Sequence, residues 1–212
     1  MLKRTALVVL ALGAMLAPAG AQPPPTPQSE LAELTSFLSI PNVASDKPDI
    51  ARNAAWLKTM FEQRGFHMTV VETPGSPVLI GEFVPPGPKP ARTLTFYFHY
   101  DGQPVTASEW KDSGPFQPIY RDKPLESGGR VVSLPSSGPI DPAWRLYARS
   151  SADDKGPIIA FLSAIDEARA AGHPITSTLR VLMEGDEEAG SPSLATVVKE
   201  QAARIRGNLI IL

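Results

Sequence analysis

The sequence predicts an α/β fold built on a largely parallel, mixed sheet flanked by helices. Three observations carry that expectation. The run T-L-T-F-Y-F-H-Y, residues 93–100, is almost continuously apolar and aromatic, as a strand buried on both faces must be. From there to Leu212, strand-like and helix-like segments alternate, the pattern of parallel strands joined by crossover helices. The 212 residues suffice for one domain with a sizeable core. No internal repeat is visible.

The elements follow in order. Lys3 and Arg4 precede an apolar run from Thr5 to Leu16, and Ala19-Gly20-Ala21 then offers a small-x-small cleavage signal. The run is short for a bilayer span, so residues 1–21 are expected to be a signal peptide and the mature chain to be exported, periplasmic or secreted. An uncleaved anchor is the alternative. Residues 22–28, opening Q-P-P-P-T-P, read as a stiff proline-rich linker. Ser29 is a plausible N-cap for a helix over Glu30–Leu38, with Leu31, Leu34, Phe37 and Leu38 on one face. Lys47–Arg64 reads as a second helix, closed by Gly65. Strands are expected over Phe66–Glu72, Pro77–Val84 and Thr93–Tyr100. Gly102–Arg145, punctuated by Pro, Gly and Ser, is expected as a long loop with a short hairpin near Arg130–Leu134. A helix over Lys155–Ala171, a strand over Thr178–Met183, a helix over Pro192–Ala203 and a strand from Leu209 complete the pattern. An apolar strand with no terminator is an unusual place for a domain to stop, so a truncated chain is expected.

Composition excludes several functions. A net charge of −2 gives no basic surface for nucleic acid or an anionic membrane. The absence of cysteine removes disulfides, thiolate zinc sites and a cysteine nucleophile together.

Three stretches carry chemistry. The first is M-E-G-D-E-E-A-G-S (183–191), where a strand runs into Glu184, Asp186, Glu187 and Glu188. Like charges gathered at the end of a buried strand repel, and a metal ion would hold them. A solvated acidic loop is the alternative. The second is F-H-Y-D-G-Q-P-V (98–105), which puts His99 and Asp101 two apart at the end of the central strand. A carboxylate there can hold the second nitrogen of a ligating histidine. The third is A-R-S-S-A-D-D-K-G-P (148–157), where Asp153 and Asp154 open a helix. Capping explains one aspartate but not two. His, Asp and Glu without Cys form a nitrogen-and-oxygen donor set suited to zinc, cobalt or manganese. Glu184 is expected to brace the loop and Asp186 to be solvated. His67 and His173 carry no functional reading. Trp110, Phe116 and Trp144 are expected to pack under the long loop or line a pocket.

Taken together and in this order, the three stretches resemble the dinuclear zinc peptidases and deacylases that include carboxypeptidase G, carnosinase-type dipeptidases, acetylornithine deacetylase and aminoacylase. The resemblance covers most of the mature chain and implies a zinc-exopeptidase-like catalytic domain, with residues 29–212 as its N-terminal portion. It implies two divalent ions, zinc first. His99 ligates one, Glu188 the other, and Asp153 bridges both. Asp101 orients His99, Glu187 is the general base and later acid, and the Asp153–Asp154 peptide is cis. The implied substrate is a small peptide or N-acyl amino acid, and the implied full-length protein is a homodimer. Two departures stand out: Ala148-Arg149-Ser150 replaces the commoner G-R-G, and Asp186 replaces a commoner Glu. The family also uses two further ligands and an inserted dimerisation domain beyond Leu212, so the chain alone is expected to be inactive. A non-enzymatic domain with an acidic metal-binding loop is the competing reading.

Overall fold

The structure, a computed structural model, describes residues 24–212. The expected signal peptide and the first two residues of the linker lie outside the described residues. Helix α1 spans Pro27–Leu38 and is capped by Thr26. The Thr26 side chain accepts from the Ser29 N–H, and the Ser29 hydroxyl accepts from the Thr26 N–H. The helix thus starts at Pro27, not Glu30, and Pro27 and Gln28 leave the linker. Proline fits there because first-turn N–H groups have no helical partner. Helix α2 spans Lys47–Gln63, and Gly65 follows it at φ +82°, a conformation that glycine takes freely.

Strands β1 (His67–Val71), β2 (Val78–Phe83) and β3 (Thr93–His99) follow. The expected long loop instead holds a small antiparallel sheet. Its strands are β4 (Ile119–Arg121), β5 (Val131–Val132) and β6 (Arg145–Tyr147), in the order β5-β4-β6. Strands of two or three residues are too short for an alternating pattern to register. Helix α3 (Lys155–Ala170) and β7 (Thr178–Glu184) come next. The helix expected over Pro192–Ala203 is divided at Gln201 into α4 (Leu194–Glu200) and α5 (Ala202–Ile205), and β8 is Leu209–Ile211. No helix among the described residues is long and apolar enough to cross a membrane.

The main sheet runs β1-β2-β7-β3-β8. It is mixed: β3 is parallel to β7 and β8, whereas β1–β2 and β2–β7 are antiparallel. Alternation along the strands sends Phe98, Leu179, Val181 and Met183 to the face covered by Phe37, Leu57 and Leu162 of α1, α2 and α3. Ile80, Leu182 and Tyr97 go to the other face, against Leu194, Val197 and Ile205 of α4 and α5. Complete burial of a side chain such as Leu57 or Leu162 stabilises by roughly 1.5–3 kcal/mol. The register His99↔Glu184 brings the C-terminal ends of β3 and β7 together, the edge at which open α/β sheets bind ligands.

Candidate metal centre

His99 ends β3, and its ring lies between two carboxylates. Nε2 is 2.8 Å from Asp153 Oδ1 and Nδ1 is 3.3 Å from Asp101 Oδ1. Its backbone N–H donates to Asp154 Oδ2 at 3.1 Å. Asp101 is fully buried and also accepts the backbone N–H groups of Glu187 and Glu188, at 3.2 and 3.0 Å. One carboxylate therefore orients the imidazole and fixes the turn carrying both glutamates. The Asp153–Asp154 peptide is cis, as the resemblance implies.

The charges show what the site attracts. Burial pulls the His99 imidazole down, but hydrogen bonds to Asp101 and Asp153, with the charges of Asp101 and Asp154, outweigh it and push it up to about 9. Burial pushes Asp154 up to about 6, against the hydrogen bond from the His99 backbone. An imidazolium held between carboxylates is a positive charge in a place built for one. The donors fit a divalent ion that prefers nitrogen and oxygen, and Asp101 behind Nδ1 supplies the orientation such a ligand needs.

The acidic turn divides in two. Glu184 and Asp186 are buried. The Glu184 carboxylate accepts from the Tyr97 hydroxyl and, at 2.9 Å, from the Ser191 hydroxyl. Asp186 Oδ2 accepts the Ser76 N–H at 3.0 Å. The expectation that Asp186 is solvated is therefore wrong, because a turn 110 residues earlier in the chain covers it. Glu187 and Glu188 lie on a 3-10 turn over Glu187–Ala189, with Glu187 exposed. Glu188 Oε2 accepts from Gln103 Nε2 at 2.8 Å. Asp153 and Glu188 face one open cleft of about 340 Å³, with Gln103, Trp110 and Arg149 also in its wall. Among the described residues no three His, Asp or Glu side chains close into a cluster that could hold an ion. Glu188 is turned toward Gln103, and His99 contacts Asp153 directly.

Sequence reasoning gave no role to Asp154 or Gln103, and none to Arg149 beyond its place in the changed G-R-G. Asp154 and Gln103 lie inside the quoted motifs, so adjacency to Asp153 and Asp101 was the available signal. The Ala148-Arg149-Ser150 departure has a structural consequence. Ser150 sits at φ +62°, where glycine is easier, and Asn42 Nδ2 donates to its hydroxyl at 3.0 Å.

A family model described as peptidase family M20/M25/M40 matches residues 95–211. The chain belongs to the M20 family. This M20 chain is 26% identical over 188 residues to the Cys-Gly metallodipeptidase dug1 of Schizosaccharomyces pombe, covering 82% of this chain and 35% of that protein. It is 35% identical over 117 residues to the succinyl-diaminopimelate desuccinylase of Paracidovorax citrulli, covering 55% of this chain and 25% of that protein. Among solved structures it superposes on the M20 family metallo-carboxypeptidase Sso-CP2 from Sulfolobus solfataricus with a TM-score of 0.67 and 28% identity, over 86% of this chain and 36% of that one. The M20 chain thus spans about a third of the dipeptidase's length and a quarter of the desuccinylase's.

Proposed function

We propose that this chain supplies part of the catalytic centre of a metal-dependent hydrolase that cleaves amide or peptide bonds in small peptides. One observation carries the reading: His99 lies between Asp101 and Asp153, and Asp101 also anchors the turn of Glu187 and Glu188. In this reading His99, Asp153 and Glu188 would hold two divalent ions, zinc before cobalt or manganese. When bound, such ions make water acidic near neutral pH and polarise a carbonyl. Asp101 keeps Nε2 of His99 directed at Asp153. Glu187, exposed on its turn, takes a proton from the attacking water and returns it to the departing amine.

The names of the relatives, a Cys-Gly metallodipeptidase and a succinyl-diaminopimelate desuccinylase, support small-peptide or N-acyl amino acid substrates. The second relative, at 35% identity, favours deacylation as a second reading. Three donor side chains are too few for two ions that usually take about four ligands each, so the 212 residues alone bind zinc weakly and turn over nothing. Tight two-site binding in a zinc titration of this chain refutes that. Export and a homodimeric full-length protein complete the proposal. N-terminal sequencing of the secreted protein and its mass in solution test them.

The deciding experiment is Glu187→Gln in the protein as its gene encodes it. The expected result is retained metal with turnover reduced by about 10²–10⁴-fold. Unchanged turnover removes Glu187 from the mechanism. A parent protein that binds metal yet hydrolyses no amide leaves the non-enzymatic binding domain standing.

A further inference from the structure

Asn42 is fully buried and lies between the two loops that bring Asp101 and Asp153 to His99. Its backbone O accepts the Gly102 N–H at 2.7 Å, and its Nδ2 donates to Tyr100 O at 3.0 Å. It thus holds the chain on both sides of Asp101. Gly102 O accepts the Ala44 N–H at 3.2 Å, and Val43 and Gly102 form a parallel bridge. The same Nδ2 reaches the second loop, donating to the Ser150 hydroxyl at 3.0 Å.

Ser150 opens the turn that carries Asp153. Its O accepts the Lys155 N–H at 3.2 Å, which closes the chain around Asp153 and Asp154. The far end of that turn is tied to the residues just before Asn42. Lys155 Nζ, on a fully buried side chain, donates to Phe37 O at 2.8 Å and to Ile40 O at 2.7 Å. Residues 37–44 therefore grip the Asp101 loop and both ends of the Asp153 turn.

The contact leaves no slack. A Cβ on Gly102 would lie 2.5 Å from Ser150 Oγ and 3.2 Å from Nδ2 and Oδ1 of Asn42. Ser150 is buried at φ +62°, a conformation that a residue other than glycine keeps only where its surroundings impose it. Here the Asn42 amide meets its hydroxyl with both polar atoms, Nδ2 at 3.0 Å and Oδ1 at 3.4 Å. We infer that Asn42 is a positioning residue for the metal centre. By holding Ser150 in its left-handed conformation against Gly102, it sets the separation of His99 and Asp153. This rests on the metal-dependent reading proposed above. Asn42 touches neither ion nor substrate and acts through Ser150.

The test uses the protein as its gene encodes it, depleted of metal. Zinc is titrated against a competing chelator, and each variant is also unfolded in urea. Asn42→Ala is expected to weaken zinc binding about tenfold. Adding Ser150→Gly to Asn42→Ala is expected to recover much of that loss, because glycine takes φ +62° without support. A second pair leaves Asn42 intact, should its alanine variant fail to fold. Ser150→Gly is expected to bind zinc nearly as well as the parent. Ser150→Ala, which keeps the Cβ and loses the hydroxyl, is expected to bind about tenfold more weakly. An Asn42→Ala variant that unfolds at lower urea with zinc affinity unchanged has a structural role only, and overturns the inference. So does a double variant no better than Asn42→Ala, or a Ser150→Ala variant equal to Ser150→Gly. A parent that binds no zinc overturns the metal-dependent reading itself, and this inference with it.

Discussion

Glu184 and Asp186 differ from Glu187 and Glu188 in almost every physical respect, though all four lie within five consecutive residues. The inner pair is buried and bonded to Tyr97, Ser191 and the backbone of Ser76. The outer pair is anchored by its backbone through Asp101, with Glu187 exposed and Glu188 taking a side-chain bond from Gln103. The comparison shows how an exposed acid can be placed accurately. The inner carboxylates and Asp101 hold the turn, so the Glu187 side chain can stay exposed on it.

Breaking the outer half should affect turnover and nothing else. Glu187→Gln is expected to shift unfolding free energy by less than about 0.5 kcal/mol in a urea titration, against the loss of turnover given above. Breaking the inner half should do the reverse. Glu184→Ala leaves the Tyr97 and Ser191 hydroxyls without their acceptor and is expected to cost about 2–3 kcal/mol in the same titration. Gly75→Ala attacks the inner half from across the chain. A Cβ there would lie 2.2 Å from Asp186 Oδ2, so the carboxylate must move off Ser76, at about 1–2 kcal/mol. Ser191→Ala removes one hydrogen bond from Glu184 and is expected to cost about 0.5–1.5 kcal/mol. A Glu184→Ala variant as stable as the parent would erase the distinction between the halves.

The candidate site was easier to read in the sequence than the boundaries of the elements around it. His99, Asp101, Asp153 and the glutamate pair stand in short motifs at element ends, where a change of pattern is visible. β3 was legible because it is almost continuously apolar and aromatic, as suits a strand paired on both sides within the sheet. The start of α1 was not, because Pro27 looks like the end of a tether and the cap uses Ser29 where Glu or Gln is the usual signal. The small sheet of β4, β5 and β6 is made of strands too short to alternate. Asp186 was misread because its burial comes from Ser76, a partner that no local pattern announces.

The β3–β7 register has a thermodynamic consequence. His99 and Asp153 are 54 residues apart and Glu188 lies further along the chain, so no short unfolded stretch offers these donors together. A cation gripped there rewards the native chain and ignores the denatured one. The melting temperature should therefore climb with the logarithm of ion concentration, and a chelator should bring it back down.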